Sequence, residues 1–308
     1  MVDSKELKIK LGIDTGFAIN RYPEAGSWIK IVGEVLNLRY VQHVADLLNP
    51  FLPDYILKSE VKKIRRLCAR YRVTVDTTFT SAFTRVNHLL HPDPEVRKIW
   101  FEWFKRYFYY SRELGARGSG GHFGIFSVPD FNDLSRRRFI FEEGIKNWQR
   151  LSDYGKKLGF DFLIFEPMSV PRECASTIRD TRELLERVNS NAAIPIRLCM
   201  DVDHGNLHSR DPKDTDPYAW LREFGPVSPV IHIKQSSKDK SGHWPFTKEN
   251  NKKGIIRPQK VIKALKESGA KDVVLLFEFS FRERYPQEYR VIHDLKESVA
   301  YWRKYVKM

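Results

Sequence analysis

The chain is poor in cysteine and has no long apolar run. Its three cysteines, Cys68, Cys174 and Cys199, are odd in number and scattered, with no Cys-x-x-Cys. This argues against a disulfide framework and against a cysteine-built zinc site. No stretch approaches the roughly 18 consecutive apolar residues that a bilayer span requires, so no membrane partner is expected. The opening MVDSKELKIK carries charge with no apolar stretch behind it. It does not resemble a secretory leader, and the cytoplasm is the expected address. A glycine-rich phosphate turn near the start, which would mark an open doubly wound sheet, is also missing. Internal repeats and low-complexity stretches are absent.

Charge, by contrast, is plentiful and unbalanced. Lysine and arginine number 53 against 39 acidic residues, a net charge of +14. Such a surplus suits an anionic partner, either nucleic acid or a phosphorylated small molecule. It equally suits solvated helix faces. Local pattern favours the second reading: Lys62, Lys63, Arg65 and Arg66 interleave with apolar Val61, Ile64 and Leu67 at helical spacing.

Short apolar runs alternate with longer amphipathic segments along the whole chain. The strand candidates are 8–14, 38–43, 73–79, 116–123, 160–166, 196–201, 229–234 and 273–279. The fourth, rich in glycine (GARGSGGHFG), could also be a loop. Helical periodicity is clearest over 134–158, where Phe141, Ile145, Trp148 and Leu151 recur at steps of three and four. Further helices are expected over 175–188 and 258–268, the latter stopped by Gly269. Eight strand–helix units predict a single-domain α/β fold, a closed (β/α)₈ barrel. The polar segment 236–254 reads as an extended loop over the active face. The run FEWFKRYFYY is apolar on more than one face, which predicts a buried helix or a subunit contact in a homo-oligomer.

In such a barrel the chemistry sits at the C-terminal ends of the strands. The last four candidates end on Glu166 (FLIFEP), Asp201 (RLCMD), His232 (VIHIK) and Glu278 (LLFEF). Any one of these alone would pass for a capped or hydrogen-bonded strand end. Three carboxylates and an imidazole converging in one mouth would repel unless a cation joined them, because a buried charge is costly without a partner. The inference is one divalent metal ion; mixed oxygen and nitrogen ligands suit Mn²⁺, Co²⁺, Mg²⁺ or Zn²⁺ alike.

The order Glu166, Asp201-x-x-His204, His232-x-Lys234, Glu278 resembles the xylose isomerase-like barrel superfamily, especially its ketose 3-epimerases. FAINRYPEAGSW, NHLLHPDPEVR and EPMSVPRE resemble isomerases of apiose or four-carbon ketoses. The resemblance implies Glu166, Asp201, His232 and Glu278 as metal ligands, with Glu166 and Glu278 also the acid/base pair. It implies His204 as a substrate contact. The ketose 3-epimerases carry a second glutamate six residues after the first. Arg172 stands there in this chain, followed by Glu173, which a one-residue loop difference could deliver to the substrate. That departure favours aldose–ketose interconversion by enediolate proton transfer, with 3-epimerisation as the alternative. The expected partner is a small free or phosphorylated sugar of four to six carbons. His122, in GGHFG, and Lys234 are added as substrate contacts, the glycines allowing close approach. His88 and His91 are weaker candidates, as capping or loop residues. Lys238, Lys240, Arg282 and Arg284 could receive a phosphate. An apurinic endonuclease, of the same superfamily, is the rival of another class. It would need several more histidines; the third strand ends in TTFTS, and Ser241-Gly242-His243 lacks the required aspartate, so no nucleic acid is expected.

Overall fold

The computed structural model describes residues 6–81, 84–238, 242–282, 284 and 288–306. Eight parallel strands close into a barrel in chain order. They are β1 (Lys8–Asp14), β2 (Tyr40–Val44), β3 (Thr74–Phe79), β4 (Gly118–His122), β5 (Phe162–Glu166), β6 (Ile196–Asp201), β7 (Val230–Ile233) and β8 (Asp272–Phe277). The helices around them are α1 (Ala25–Lys30), α2 (Asp54–Tyr71), α3 (Pro94–Glu113), α4 (Val128–Asn132), α5 (Leu134–Leu158), α6 (Ile178–Asn189), α7 (Pro217–Phe224), α8 (Lys248–Lys253), α9 (Pro258–Ser268) and α10 (Glu288–Arg303). The expected single (β/α)₈ barrel is the observed architecture.

Strand alternation divides the apolar residues between two cores. Phe79, Phe162, Ile164, Cys199, Val230, Val274 and Leu276 fill the barrel interior. Their sequence neighbours, such as Leu163, Phe165, Leu198, Ile231, Leu275 and Phe277, belong to the larger core between strands and helices. The sequence FEWFKRYFYY lies in α3, and Phe101, Trp103, Phe104, Tyr107, Phe108 and Tyr110 are all buried within this one chain. On α2, Val61 and Ile64 are buried while Lys62, Arg65 and Arg66 are exposed, the solvated face read from the pattern.

Two expectations need correction. The segment 236–254 is not a continuous loop. Thr247 caps α8 by accepting a hydrogen bond from the Asn250 amide, and Gln235 pairs with Trp244 in an antiparallel bridge. The glycine-rich fourth run is a strand, as its place among the strand candidates has it; the correction is to its glycines, which make room for neighbouring strands. A Cβ on Gly120 would sit 1.7 Å from the Ile164 carbonyl oxygen, and one on Gly121 would sit 2.4 Å from Thr80 Oγ1. β4 can lie between β3 and β5 only because these side chains are missing. Gly120→Ala should therefore cost about 3 kcal/mol, the upper end for overpacking. Urea unfolding should show a lower midpoint at unchanged slope.

The mantle also holds two histidines without hydrogen-bond partners. His43 lies edge-on to Trp28, and His88 packs on Trp100 and Phe104; neither ring nitrogen of either is bonded. Burial lowers the His43 pKa to about 4 and that of His88 to about 3. The unfolded chain titrates these groups near 6.5, so between that value and the folded pKa it binds more protons than the native state. Each of these histidines should thus withdraw about 2 kcal/mol of stability between pH 6.5 and 5, against the opposite contribution of buried acids whose pKa values are raised, such as Asp14 and Asp201. Comparing thermal melts of wild type and His43→Leu at pH 7 and 5 isolates the effect: the variant should lose about 2 kcal/mol less on acidification.

Candidate active site

Glu166 and Asp201 are the last residues of β5 and β6, His232 stands one residue before the end of β7, and Glu278 directly follows β8. All four point inward, being two residues beyond barrel-filling Ile164, Cys199, Val230 and Leu276. His232 Nδ1 lies 3.1 Å from Glu166 Oε1 and 3.6 Å from Glu278 Oε2. Ligand atoms of Glu166, Asp201 and His232 all fall within 4.8 Å of one another, as do those of Asp201, His204 and His243.

The other nitrogen of His232 is already committed. Its Nε2 is 2.7 Å from Gln42 Oε1, and the Gln42 amide nitrogen donates to Thr77 Oγ1 at 3.1 Å. That network fixes one imidazole proton on Nε2; in the ion-free pocket Nδ1 carries a second proton, donated to Glu166, which it would give up to offer its lone pair to a metal. Gln42 is a site residue that sequence reading missed. YVQHV puts two polar residues, Gln42 and His43, side by side, and only the register tells which of them faces the barrel interior.

Cations surround the acids. Lys234, fully buried, bonds Asp201, Glu278 at 2.8 Å and His243 Nε2 at 2.6 Å. These three contacts use every hydrogen of its ammonium, so as placed it counter-charges the acids rather than offering a donor to a sugar. His122 Nε2 approaches Glu166 Oε2 at 3.5 Å while its Nδ1 meets Thr80 Oγ1 at 3.3 Å. His204 Nδ1 donates to the Pro167 carbonyl at 2.8 Å, and its Nε2 lies 3.6 Å from Asp201 Oδ2. Gly205 turns the chain just after it, at φ +130° and with the Asp214 carbonyl where a Cβ would be. His243 is brought in by the bridge of Gln235 with Trp244, a contact without a local sequence signal.

These contacts set the ionisation of the mouth. Burial pushes the Glu166 carboxyl up, but His204, His122 and His232 outweigh it and hold the group well below the usual carboxylate range. Glu278 follows the same balance, with Lys234 the main opponent of burial. Burial wins at Asp201, whose pKa rises to about 6 despite His204 and Lys234. Burial lowers and the surrounding acids raise the pKa values of His232 and Lys234, with a net rise for both. His243 falls to about 3 through burial and the neighbouring Lys234. A pocket that holds three acids by recruiting every nearby base has the donor set for a divalent ion.

Other expected residues lie outside this cluster. Glu173 is buried and makes a bidentate ion pair with Arg85, at 2.5 and 2.7 Å. Arg172 turns its guanidinium to the Phe126 carbonyl, 2.6 Å away. His88 is a mantle residue, and His91 Nδ1 accepts from the Asp93 amide beside the start of α3. The Asp203 carboxylate accepts from the Gly242 amide. Lys238, Arg282 and Arg284 are exposed, while Lys240 lies outside the described residues.

Comparison with known proteins agrees with this fold. Residues 36–305 match the family model of the xylose isomerase-like TIM barrel. A Brucella abortus (strain 2308) protein named D-erythrulose 1-phosphate 3-epimerase is 37% identical over 301 residues, covering 97% of each chain. Among solved structures, a xylose isomerase candidate from Rhodospirillum rubrum superposes with a TM-score of 0.87 at 24% identity, over 96% of this chain and 99% of that one. A D-psicose 3-epimerase from Clostridium cellulolyticum H10 gives 0.71 at 14% identity, over 97% and 100%. At these identities the structures speak for the fold alone. The family match and the Brucella relative go further: the chain belongs to the xylose isomerase-like TIM barrel family, as a sugar isomerase or epimerase.

Proposed function

We propose that the chain is a divalent-metal-dependent 3-epimerase of a short ketose phosphate, with Glu166, Asp201, His232 and Glu278 holding the ion. The observation that carries this reading is the pair of glutamates. Glu166 from β5 and Glu278 from β8 approach His232 Nδ1 from different walls of the barrel. Epimerisation needs a proton taken from one face of a carbon and one delivered to the other, hence two groups on opposite sides. One carboxylate removes the C3 proton, and the C–H electron pair moves toward the C2 carbonyl to give an enediolate. The opposite carboxylate, ionised in the free pocket, relays a proton from solvent to the other face of C3, and the first gives its captured proton back to solvent. When bound, the ion polarises the carbonyl and adjacent hydroxyl and so acidifies the C–H between them. His122 and His204 flank Glu166 and are assigned to the sugar oxygens.

The phosphate in the proposal comes from the name of the Brucella relative. Arg85 supports it at the rim. Its side chain is 45% exposed, and Glu173 grips only part of the guanidinium fork. Glu173 then acts on the substrate through Arg85. Lys234 keeps a part in the proposal as the counter-charge that Asp201 and Glu278 need beside a sugar. Mn²⁺, Co²⁺, Mg²⁺ and Zn²⁺ all suit the donor set. Cytoplasmic residence and self-association belong to the same proposal. No helix among the described residues is long and apolar enough to cross a membrane, and exposed Phe51, Tyr55 and Ile99 offer apolar surface to a second copy.

One observation favours aldose–ketose interconversion instead: Arg172 stands where a second glutamate would be, and Glu173 is occupied by Arg85. Product analysis of metal-loaded enzyme in deuterated water, with erythrulose 1-phosphate and with erythrulose 4-phosphate, whose free C1 hydroxyl permits an aldose, separates the two. The epimerase forms the C3 epimer of the 1-phosphate with deuterium at C3; turnover of the 4-phosphate alone, to an aldose, would reverse the assignment. Glu166→Gln and Glu278→Gln should each lower turnover at least ~10²-fold. Near-normal rates in both would remove these glutamates from the chemistry. Gln42→Leu leaves His232 in place but unties its tautomer, and divalent-ion affinity should drop about 10–100-fold by calorimetry. Unchanged affinity would show that Nδ1 is not a ligand.

A further inference from the structure

Asp14 closes β1 and is 94% buried by its 6% residual exposure. Its direction follows from the sheet. A Cβ on Gly12 would meet the barrel-filling Leu276 side chain, whereas Ile13 belongs to the outer core, so position 14 faces inward again. β1 pairs with β8 in the register Gly12 to Leu276 and Ile13 to Phe277, and the next step sets Asp14 beside Glu278. One Asp14 oxygen, Oδ1, accepts from the Gly16 amide at 2.6 Å; the other has no hydrogen-bond partner among the described residues. A carboxyl group so buried, half-satisfied and turned into the mouth lacks a partner that the fold does not supply.

The neighbouring groups indicate what that partner is. Beside Asp14 stand Glu278 and, just past β2, Asp46, one of whose oxygens is buried without a partner. Crowded carboxyl groups disfavour a phosphate and favour a neutral donor. We propose that Asp14 binds the terminal hydroxyl of the sugar, at the β1–β2 side of the mouth, so that the phosphate end of the substrate lies away from it, toward the Arg85 rim. The assignment rests on the ketose phosphate reading above and adds an orientation and a specificity to it. It asks for a substrate whose end opposite the phosphate carries a free hydroxyl.

Asp14→Asn tests this, because the amide keeps the oxygen that caps residue 16 and loses only the carboxylate. Affinity is read by calorimetry on metal-loaded protein, so it does not depend on turnover; wild-type product formation tests the epimerase reading separately. With erythrulose 1-phosphate, Asp14→Asn should weaken binding at least tenfold, as expected for a hydrogen bond to a charged group. With the 4-deoxy analogue, the wild type should bind at least tenfold more weakly and the variant should lose no more than twofold further. The melting temperature of the free variant should be equal or higher, since a buried, underused carboxyl group has gone. Equal losses on both sugars would overturn the hydroxyl assignment. Tighter binding of the phosphorylated sugar by the variant would put the phosphate beside Asp14 and overturn the orientation. A lower melting temperature with unchanged affinities would make Asp14 a cap only, which also overturns it.

Discussion

The active face depends on one constraint: carboxylates at the inward ends of β5, β6 and β8 cannot stay ionised and buried unless positive charge reaches the same point. Lys234 is the structural answer. Removing one member of a buried ion pair is far costlier than the pair is stabilising, because the other charge is stranded. The Lys234 ammonium joins Asp201 and Glu278, two strands that would otherwise repel across β7. His232 does the same for Glu166, with His122 and His204 standing on its other sides. The mouth is therefore a balanced charge network before any ligand arrives. A divalent ion would compete with the protons on these bases, which makes its binding dependent on pH.

Most of the fold was legible because local and global signals agree. β1, β6, α5 and α9 begin and end where the sequence patterns predict. For α5 the reason is chemical at both ends: Asp133 accepts from the Ser135 and Arg136 amides, and Gly159 closes the helix in the left-handed region. The glycine-rich β4 was harder to read because strand propensity rests on side chains, and here the strand is selected by their absence. The polar segment after β7 hid α8 for a related reason. That helix buries no residue, so it has no apolar face to show a period.

At the site, the visible residues were those whose charge breaks an apolar run at a strand end. Glu166, Asp201, His232 and Glu278 stand out because each follows hydrophobic neighbours. Gln42 and Asp14 also sit on inward positions, but their strands belong to the first half of the barrel, where no recurring acid draws attention. Reading which face of a strand a residue occupies requires the register, and register depends on partners far away in sequence. His243 and Arg85 were invisible for a stronger reason. They arrive on loops, and their contacts with Lys234 and Glu173 span 9 and 88 residues with no periodicity to announce them.

The Arg85–Glu173 pair shows how a departure from a familiar motif is accommodated: a half-exposed guanidinium holds the buried carboxylate in a bidentate pair. The backbone supports the arrangement: the Phe126 amide donates to the Arg172 carbonyl, and the Arg172 side chain returns to the Phe126 carbonyl, which staples the loop after β4 to the loop after β5. Asn87, two residues beyond Arg85, donates to the Ile125 carbonyl and ties the loop after β3 to the same staple. Three loops are thereby fixed to one another at the side of the mouth opposite Asp14. A cation held on one side and acids left under-bonded on the other give the pocket a polarity that a symmetric sugar would not use. A ketose with a phosphate at one end and a hydroxyl at the other would.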